Sequence, residues 1–443
     1  MVAKKSKPAE PAAVGVFRRF FHSEVAGSVV LLACTLAALY FANSSHSETY
    51  FEILHTKVGV SWGESAFKLT FHHWVNDFLM VLFFFVVGLE IKREIVAGQL
   101  SSIKDSALPV MAALGGMIVP ALLYTLFNHG GNGADGWGIA MATDIAFALG
   151  ILSLFGSRAP IGLKVFLTAL AIADDIGAVM VIAVFYSEQI FWSGLAVAGF
   201  FMALLLIASR FMIGRPGIYI LLALGVWAGV FASGVHATVA GILVALVVPV
   251  RARIDPQVFI DNMDDRLERL KQSDLTRQSM LSDTSQLDAL DDLHWVSGSM
   301  RPAGITLEHF LHPIQAFFIL PLFALCNAGV HIHGGVFKTM VNPISLGIIL
   351  GLVIGKQLGV GSMVWAAVKL GWAELPKGVR WPHLYGAGCL AGVGFTMSLF
   401  ISELAFTDDL LVDEAKIGIL VASLISGVWG YLVLMVTLPK AEN

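Results

Sequence analysis

Residues 138–152 read GIAMATDIAFALGIL and residues 167–184 read LTALAIADDIGAVMVIAV. Each run has close to the ~20 apolar residues that cross a hydrocarbon core of ~30 Å, and each carries aspartate near its middle. The stretch between them, SLFGSRAP, reads as a turn. Asp144 lies fifteen residues before Ala159 at that turn, and Asp174 lies fifteen after it. At 1.5 Å per residue both sit roughly 20 Å from the turn, near the midplane of a bilayer, on antiparallel neighbours. Asp175 is one residue and about 100° further round, so it cannot fully share a face with Asp174. A carboxylate at that depth costs at least ~2.5–3.5 kcal/mol, which makes it a functional candidate by default. The bland readings are a helix cap or a buried ion pair. They serve one isolated aspartate better than three at one depth.

The rest of the chain repeats this pattern. Its 443 residues are 57% hydrophobic and 14% charged, with a mean hydropathy of +0.78, whereas soluble domains carry about 25% charged residues. The expected fold is an all-α integral membrane protein. Twelve spans are expected, near 24–42, 71–91, 107–127, 136–155, 161–186, 191–210, 217–231, 233–250, 305–329, 343–368, 383–404 and 414–437. Residues 1–23 read as a cytoplasmic tail, since this basic stretch has no compact apolar core of a signal peptide. Residues 438–443 read as a cytoplasmic C-terminus. With both termini inside, only Lys57, Lys68, Lys338 and Lys416 of the 28 Lys and Arg fall outside. Lys356 lies within a span, and all the others fall on the cytoplasmic side, as the positive-inside rule requires.

Two connections differ from the rest. Residues 251–302, between the transmembrane blocks 24–250 and 303–437, are polar and acidic and read as a cytoplasmic linker or a partner-binding insert. Residues 56–69 alternate about Gly63 and read as an outer hairpin. Cys34, Cys326 and Cys389 lie singly in apolar spans and form no disulfide or zinc framework.

Within GIILGLVIGKQLGVGSMVWAAV, Lys356 needs a partner at its depth, and the aspartates are the evident one. Gly351, Gly355 and Gly359 form a small-residue row suited to close helix contact. Thr143–Asp144, and the glycines up to Gly394 before Thr396, mark places where a helix could be interrupted. Clustered buried acids oppose one another's ionisation, so such a site suits protons or a hard cation, but not both together.

The stretches FFFVVGLEIKRE (83–94), ATDIAFALGILSLFGSRAP (142–160), ALAIADDIGA (169–178), SGVHATVAG (233–241), LEHFLHP (307–313), IGKQLG (354–359) and GVGFTMSLF (392–400) closely resemble NhaA-type sodium/proton antiporters. The resemblance covers roughly residues 15–437 without the 251–302 loop. It implies inverted repeats of spans 3–5 and 10–12 with two interrupted helices crossing at the ion site; this family is one of the type cases of that architecture. It implies that Na⁺ (or Li⁺) and protons bind at Asp174 and Asp175, beside Asp144 and Thr143, with Lys356 as charge partner and Gly394 and Thr396 at the facing break. It assigns Glu90, Arg93, Glu94, His236, Glu308 and His312 to pH regulation. It further implies a bacterial inner-membrane location, no cofactor, no nucleic-acid partner, and a homodimer joined through the 56–69 hairpin. Competition at the acid cluster would couple the fluxes without nucleotide, and two acids facing one monovalent ion would release more than one proton, so electrogenic exchange is expected. The rival readings are a sodium-coupled symporter of an organic anion, an intramembrane aspartyl protease built on Asp144 and Asp174, and a channel.

Overall fold

The computed structural model describes residues 24–62, 65–187, 190–211, 216–251, 302–331 and 340–439, with a few residues between 257 and 291. The expected N-terminal tail, residues 440–443 and most of the 251–302 loop lie outside the described residues.

Helix α1 (Glu24–Ala42) is followed by a short helix, α2 (Ser47–His55). Strands β1 (Lys57–Trp62) and β2 (Ser65–Thr70) pair antiparallel, from Lys57 opposite Thr70 to Trp62 opposite Ser65. This is the expected hairpin. The Thr70 hydroxyl then accepts the His73 N–H at 3.2 Å and starts α3 (Phe71–Ala97). Helix α4 (Ile103–Asn128) contains Pro109 and Pro120. A 3₁₀ segment, Ala134–Met141, precedes α5 (Ile145–Ser153). Helices α6 (Ile161–Phe185), α7 (Trp192–Arg210), α8 (Pro216–Ala232) and α9 (Thr238–Val247) follow. After the loop come α10 (Ala303–Asn327), α11 (Pro343–Lys369), α12 (Trp381–Ala391), α13 (Phe395–Ala405) and α14 (Asp409–Thr437).

Among the described residues nine helical segments are long and apolar enough to cross a membrane, and α12 with α13, bent by 42° at a break, makes up to ten. A lipid environment favours such helices because each backbone N–H and C=O is satisfied within its own segment. The expected seventh and eighth spans are occupied by α8 and α9, with 17 and 10 residues. Both are shorter than a straight crossing of ~20 residues.

The segments that carry the aspartates and Lys356 pack together. Helix α4 lies against α6 and α11, and α12 lies against α14. The expected glycine row is where α11 meets α4. A Cβ on Gly115 or on Gly359 would run into the other's backbone carbonyl, so the two helices touch through main chain. The buried aromatic core gathers nearby, with the rings of Phe84 and Phe400 5.5 Å apart.

Candidate functional site

Two interruptions face each other. Residues 142–144 are non-helical between the 3₁₀ segment and α5, and residues 392–394 separate α12 from α13. Thr and Asp offer the backbone side-chain alternatives to a helical bond, and glycine is entropically costly in a helix. Both local sequences, ATD and GVG, therefore favour a break. The breaks are bonded to one another. The Asp144 N–H donates to the Val393 carbonyl at 2.6 Å, and the Thr143 hydroxyl donates to the Ala391 carbonyl at 2.8 Å.

Every helix start leaves N–H groups without intrahelical partners and carries partial positive charge. Asp144 answers two such starts. Its Oδ1 accepts the Phe147 N–H of α5 at 3.1 Å. Its Oδ2 accepts the Thr396 N–H of α13 at 3.0 Å and also the Thr396 hydroxyl. Both carboxylate oxygens are thus engaged, and the fold places this aspartate at the crossing of the two half-helices.

On α6 the environment is different. Lys356 and Asp174 form an ion pair with Nζ 2.6 Å from Oδ2, and both side chains are fully buried. Lys356 also donates to the Thr143 hydroxyl at 2.9 Å, which ties the pair to the first break. The lysine follows a widened π turn, Gly351–Gly355, in α11. Asp175, with 2% of its surface exposed, has no ion pair among the described residues. The Oδ1 atoms of both Asp174 and Asp175 are buried without a hydrogen-bond partner among the described residues. Buried polar atoms are almost always satisfied, so two adjacent exceptions call for a missing partner. Chemically, the site sets two carboxylates against one ammonium and leaves two oxygens for protons or for a dehydrated cation.

A second polar group lies between α3 and α10. Arg93 pairs with the buried Glu308 and reaches Glu94 at 3.8 Å. Glu90, Arg93 and His312 line one cavity of ≈ 260 Å³ with Thr168 and Gln315. The structure therefore brings together Glu90, Arg93, Glu94, Glu308 and His312. His236 is elsewhere. Its ring bonds the Tyr186 carbonyl just past the C-terminal end of α6, whereas Thr168 and the cavity lie toward the N-terminal half of that helix.

Sequence reasoning missed a third polar group. Lys416, counted above only among the outer charges, lies inside α14 with 7% of its surface exposed and pairs with Glu403 at 2.7 Å. His72 Nε2 is 3.9 Å from Glu403 and 2.9 Å from the Asn327 Oδ1, while the Asn327 amide donates to Asn76 at 2.9 Å. The signal was a lone Glu in LFISELAF and a lone Lys in AKIGIL, each close enough to a turn to pass for surface. Gln315 was missed too. The described residues contain no group of three His, Cys, Asp or Glu side chains arranged to hold a metal ion, and the three cysteines are free.

The chain matches the family described as Na⁺/H⁺ antiporter 1 over residues 18–434. It is 46% identical over 432 residues to the Na(+)/H(+) antiporter NhaA of Oleidesulfovibrio alaskensis, covering 96% of this chain and 95% of that one. It is 44% identical over 412 residues to the protein of the same name from Wolinella succinogenes, covering 93% and 91%. With the namesake from Acidithiobacillus ferrooxidans it shares 46% identity over 419 residues, covering 94% and 96%.

Proposed function

Because the chain belongs to the Na⁺/H⁺ antiporter 1 family, whose relatives above carry the name NhaA, we propose that it exchanges cytoplasmic Na⁺ or Li⁺ for external H⁺ at Asp174 and Asp175. The observation that carries this reading is the pair of buried, unpartnered Oδ1 atoms on adjacent residues. Protons or a cation can fill them, and each excludes the other. The carrier reorients only when loaded, so competition alone couples the two fluxes and no nucleotide is needed. Lys356 holds Asp174 while the site is empty of cation and yields it when the cation enters. Asp144 and Thr143 position the site by fastening the two breaks together.

Two carboxylates facing one monovalent ion release more than one proton, so the exchange is electrogenic. Glu90, Arg93, Glu94, Glu308 and His312 sense cytoplasmic pH through the ion pairs around Arg93, with His236 acting at the other end of α6. In this reading α8 and α9 complete twelve crossings in a bacterial inner membrane. The segments 103–185 and 343–437 are inverted repeats, each with its middle element broken. Both termini and the acidic 251–302 loop are cytoplasmic, and the outer hairpin joins two copies into a homodimer.

The test is reconstitution in liposomes with an internal pH dye. NaCl or LiCl, but not KCl, should move protons in the wild type, and Asp174→Asn and Asp175→Asn should abolish the signal. Full activity in either variant would overturn the assignment of the site. Insensitivity of the flux to a potassium–valinomycin potential would overturn electrogenicity. A chain lacking residues 57–70 that stays dimeric in detergent would overturn the hairpin dimer.

A further inference from the structure

Helix α10 changes its winding at Gln315. Residues Gln315–Ile319 form a π turn shortly after Pro313, and such turns recur at functional sites. Gln315 is 8% exposed and its Oε1 has no hydrogen-bond partner among the described residues. The residue lines the ≈ 260 Å³ cavity together with Glu90 and Thr168. An amide oxygen buried without a donor is an acceptor waiting for one. The cavity thus gathers oxygen-bearing side chains of three kinds: a carboxylate, an amide and hydroxyls. Oxygens of this kind replace the hydration shell of a small cation. The basic residues on the same wall are Arg93 and His312, and Arg93 is committed to Glu308.

The cavity also points somewhere. Thr168 and Ile172 of α6 line it. At 100° per residue Asp175 falls on the same stripe, seven residues past Thr168 and about 10 Å deeper. Glu90 of α3 and Thr168 of α6 line the same cavity, so these two helices form two of its walls. Asp174 is about 100° away from Asp175 on α6 and is turned to Lys356.

We propose that Gln315, with Glu90 and Thr168, forms a holding site for a partly dehydrated monovalent cation on its way to Asp175, and that the Gln315 amide oxygen sets how readily the cation is captured. This rests on the antiport reading and deepens it. A neutral oxygen suits the task because it replaces a water ligand without adding a charge that would trap the ion.

The experiment is Na⁺-driven proton movement in proteoliposomes, with Na⁺ varied at fixed pH, for wild type, Gln315→Met, Gln315→Glu and Thr168→Val. Gln315→Met keeps the length and removes the oxygen. It should raise the apparent KM for Na⁺ about three- to tenfold and leave kcat within twofold. Gln315→Glu restores an oxygen and should bring KM back to the wild-type value or below. Thr168→Val, on a different helix, should raise KM in the same direction. An unchanged KM in Gln315→Met and Thr168→Val, with normal wild-type exchange, overturns the holding site and leaves the antiport reading standing. A loss of kcat without a KM change also overturns it, since that marks a purely structural role. No ion-linked proton movement in the wild type overturns both.

Discussion

The carboxylate of Asp144 caps a helix that is not its own: its Oδ2 accepts the backbone N–H of Thr396, 252 residues further along the chain, at 3.0 Å. The same side chain caps α5 through Phe147. One buried carboxyl group therefore holds two helix starts, and packing by itself accounts for the depth of Asp144.

Removing that carboxylate should show in stability. Asp144→Ala loses two caps, each worth about 0.5–2 kcal/mol. Thermal unfolding in detergent should drop clearly for Ala and by about half as much for Asn, whose single amide oxygen accepts only one of the two N–H groups. Equal losses for Ala and Asn would assign the effect to charge instead of capping.

Lys356 and Asp174 should behave as a unit. Lys356→Met leaves a buried carboxylate without its ammonium, a loss of about 3–5 kcal/mol for a fully buried pair. The double variant Lys356→Met/Asp174→Asn removes both charges and should recover most of that stability, with exchange still absent. A melting temperature in the double variant as low as in Lys356→Met alone would show that the pair contributes nothing through its mutual charge.

Competition fixes the sign of the pH dependence. In the proposed competition a proton on Asp174 or Asp175 leaves before Na⁺ binds, so the apparent KM for Na⁺ should rise as pH falls. The rise is up to about tenfold per pH unit for each competing proton, because a tenfold change in proton concentration is 1.4 kcal/mol. Initial rates of proton movement against Na⁺ between pH 6.5 and 8.5 would test this. A KM that is flat while kcat falls would place the titrating group outside the ion site.

Glu403 and Lys416 should matter for stability whether or not the protein transports anything. Their side chains are 18% and 9% exposed, so the cost of breaking the pair lies below that of a fully dry one. About 1–3 kcal/mol is expected for Glu403→Gln or Lys416→Met. The change should be read as a shift in thermal unfolding, with the KM for Na⁺ unaltered. A KM shift would tie this polar group to the ion path.

The backbone contact between Gly115 and Gly359 leaves no space for a methyl group. Gly359→Ala should destabilise by about 1–3 kcal/mol, the usual cost of overpacking, while Gly361→Ala, which meets nothing within 4 Å, should be silent. Thermal unfolding of the two variants side by side makes the comparison.

Charge in apolar runs made the central residues readable. Asp144, Asp174, Asp175 and Lys356 stood out because lipid tolerates so few such groups, and both breaks were foreshadowed by ATD and GVG. The hairpin showed itself by alternation. What stayed hidden depends on partners that only the fold supplies. Nothing in IQAFF says that Gln315 will be buried without a donor. The pairing of Glu403 with Lys416 requires α13 and α14 to meet at one depth. The capping of α13 by Asp144 exists only once the two halves of the chain cross. The bounds of α9 were hidden as well, because the apolar run through residue 250 extends past the helix end at Val247.

The bonds between the two breaks also set a timetable for biosynthesis. Ala391, Val393 and Thr396 leave the ribosome roughly 250 residues after Thr143 and Asp144. At ~5–20 residues per second that is a wait on the order of tens of seconds. During it, the first break lies in the bilayer with its polar groups awaiting their partners. The amino-terminal half is therefore an unfinished object until the last spans arrive. A chain stopped before residue 391 should be cleared by membrane proteases, and co-expression of the missing carboxy-terminal half should protect it.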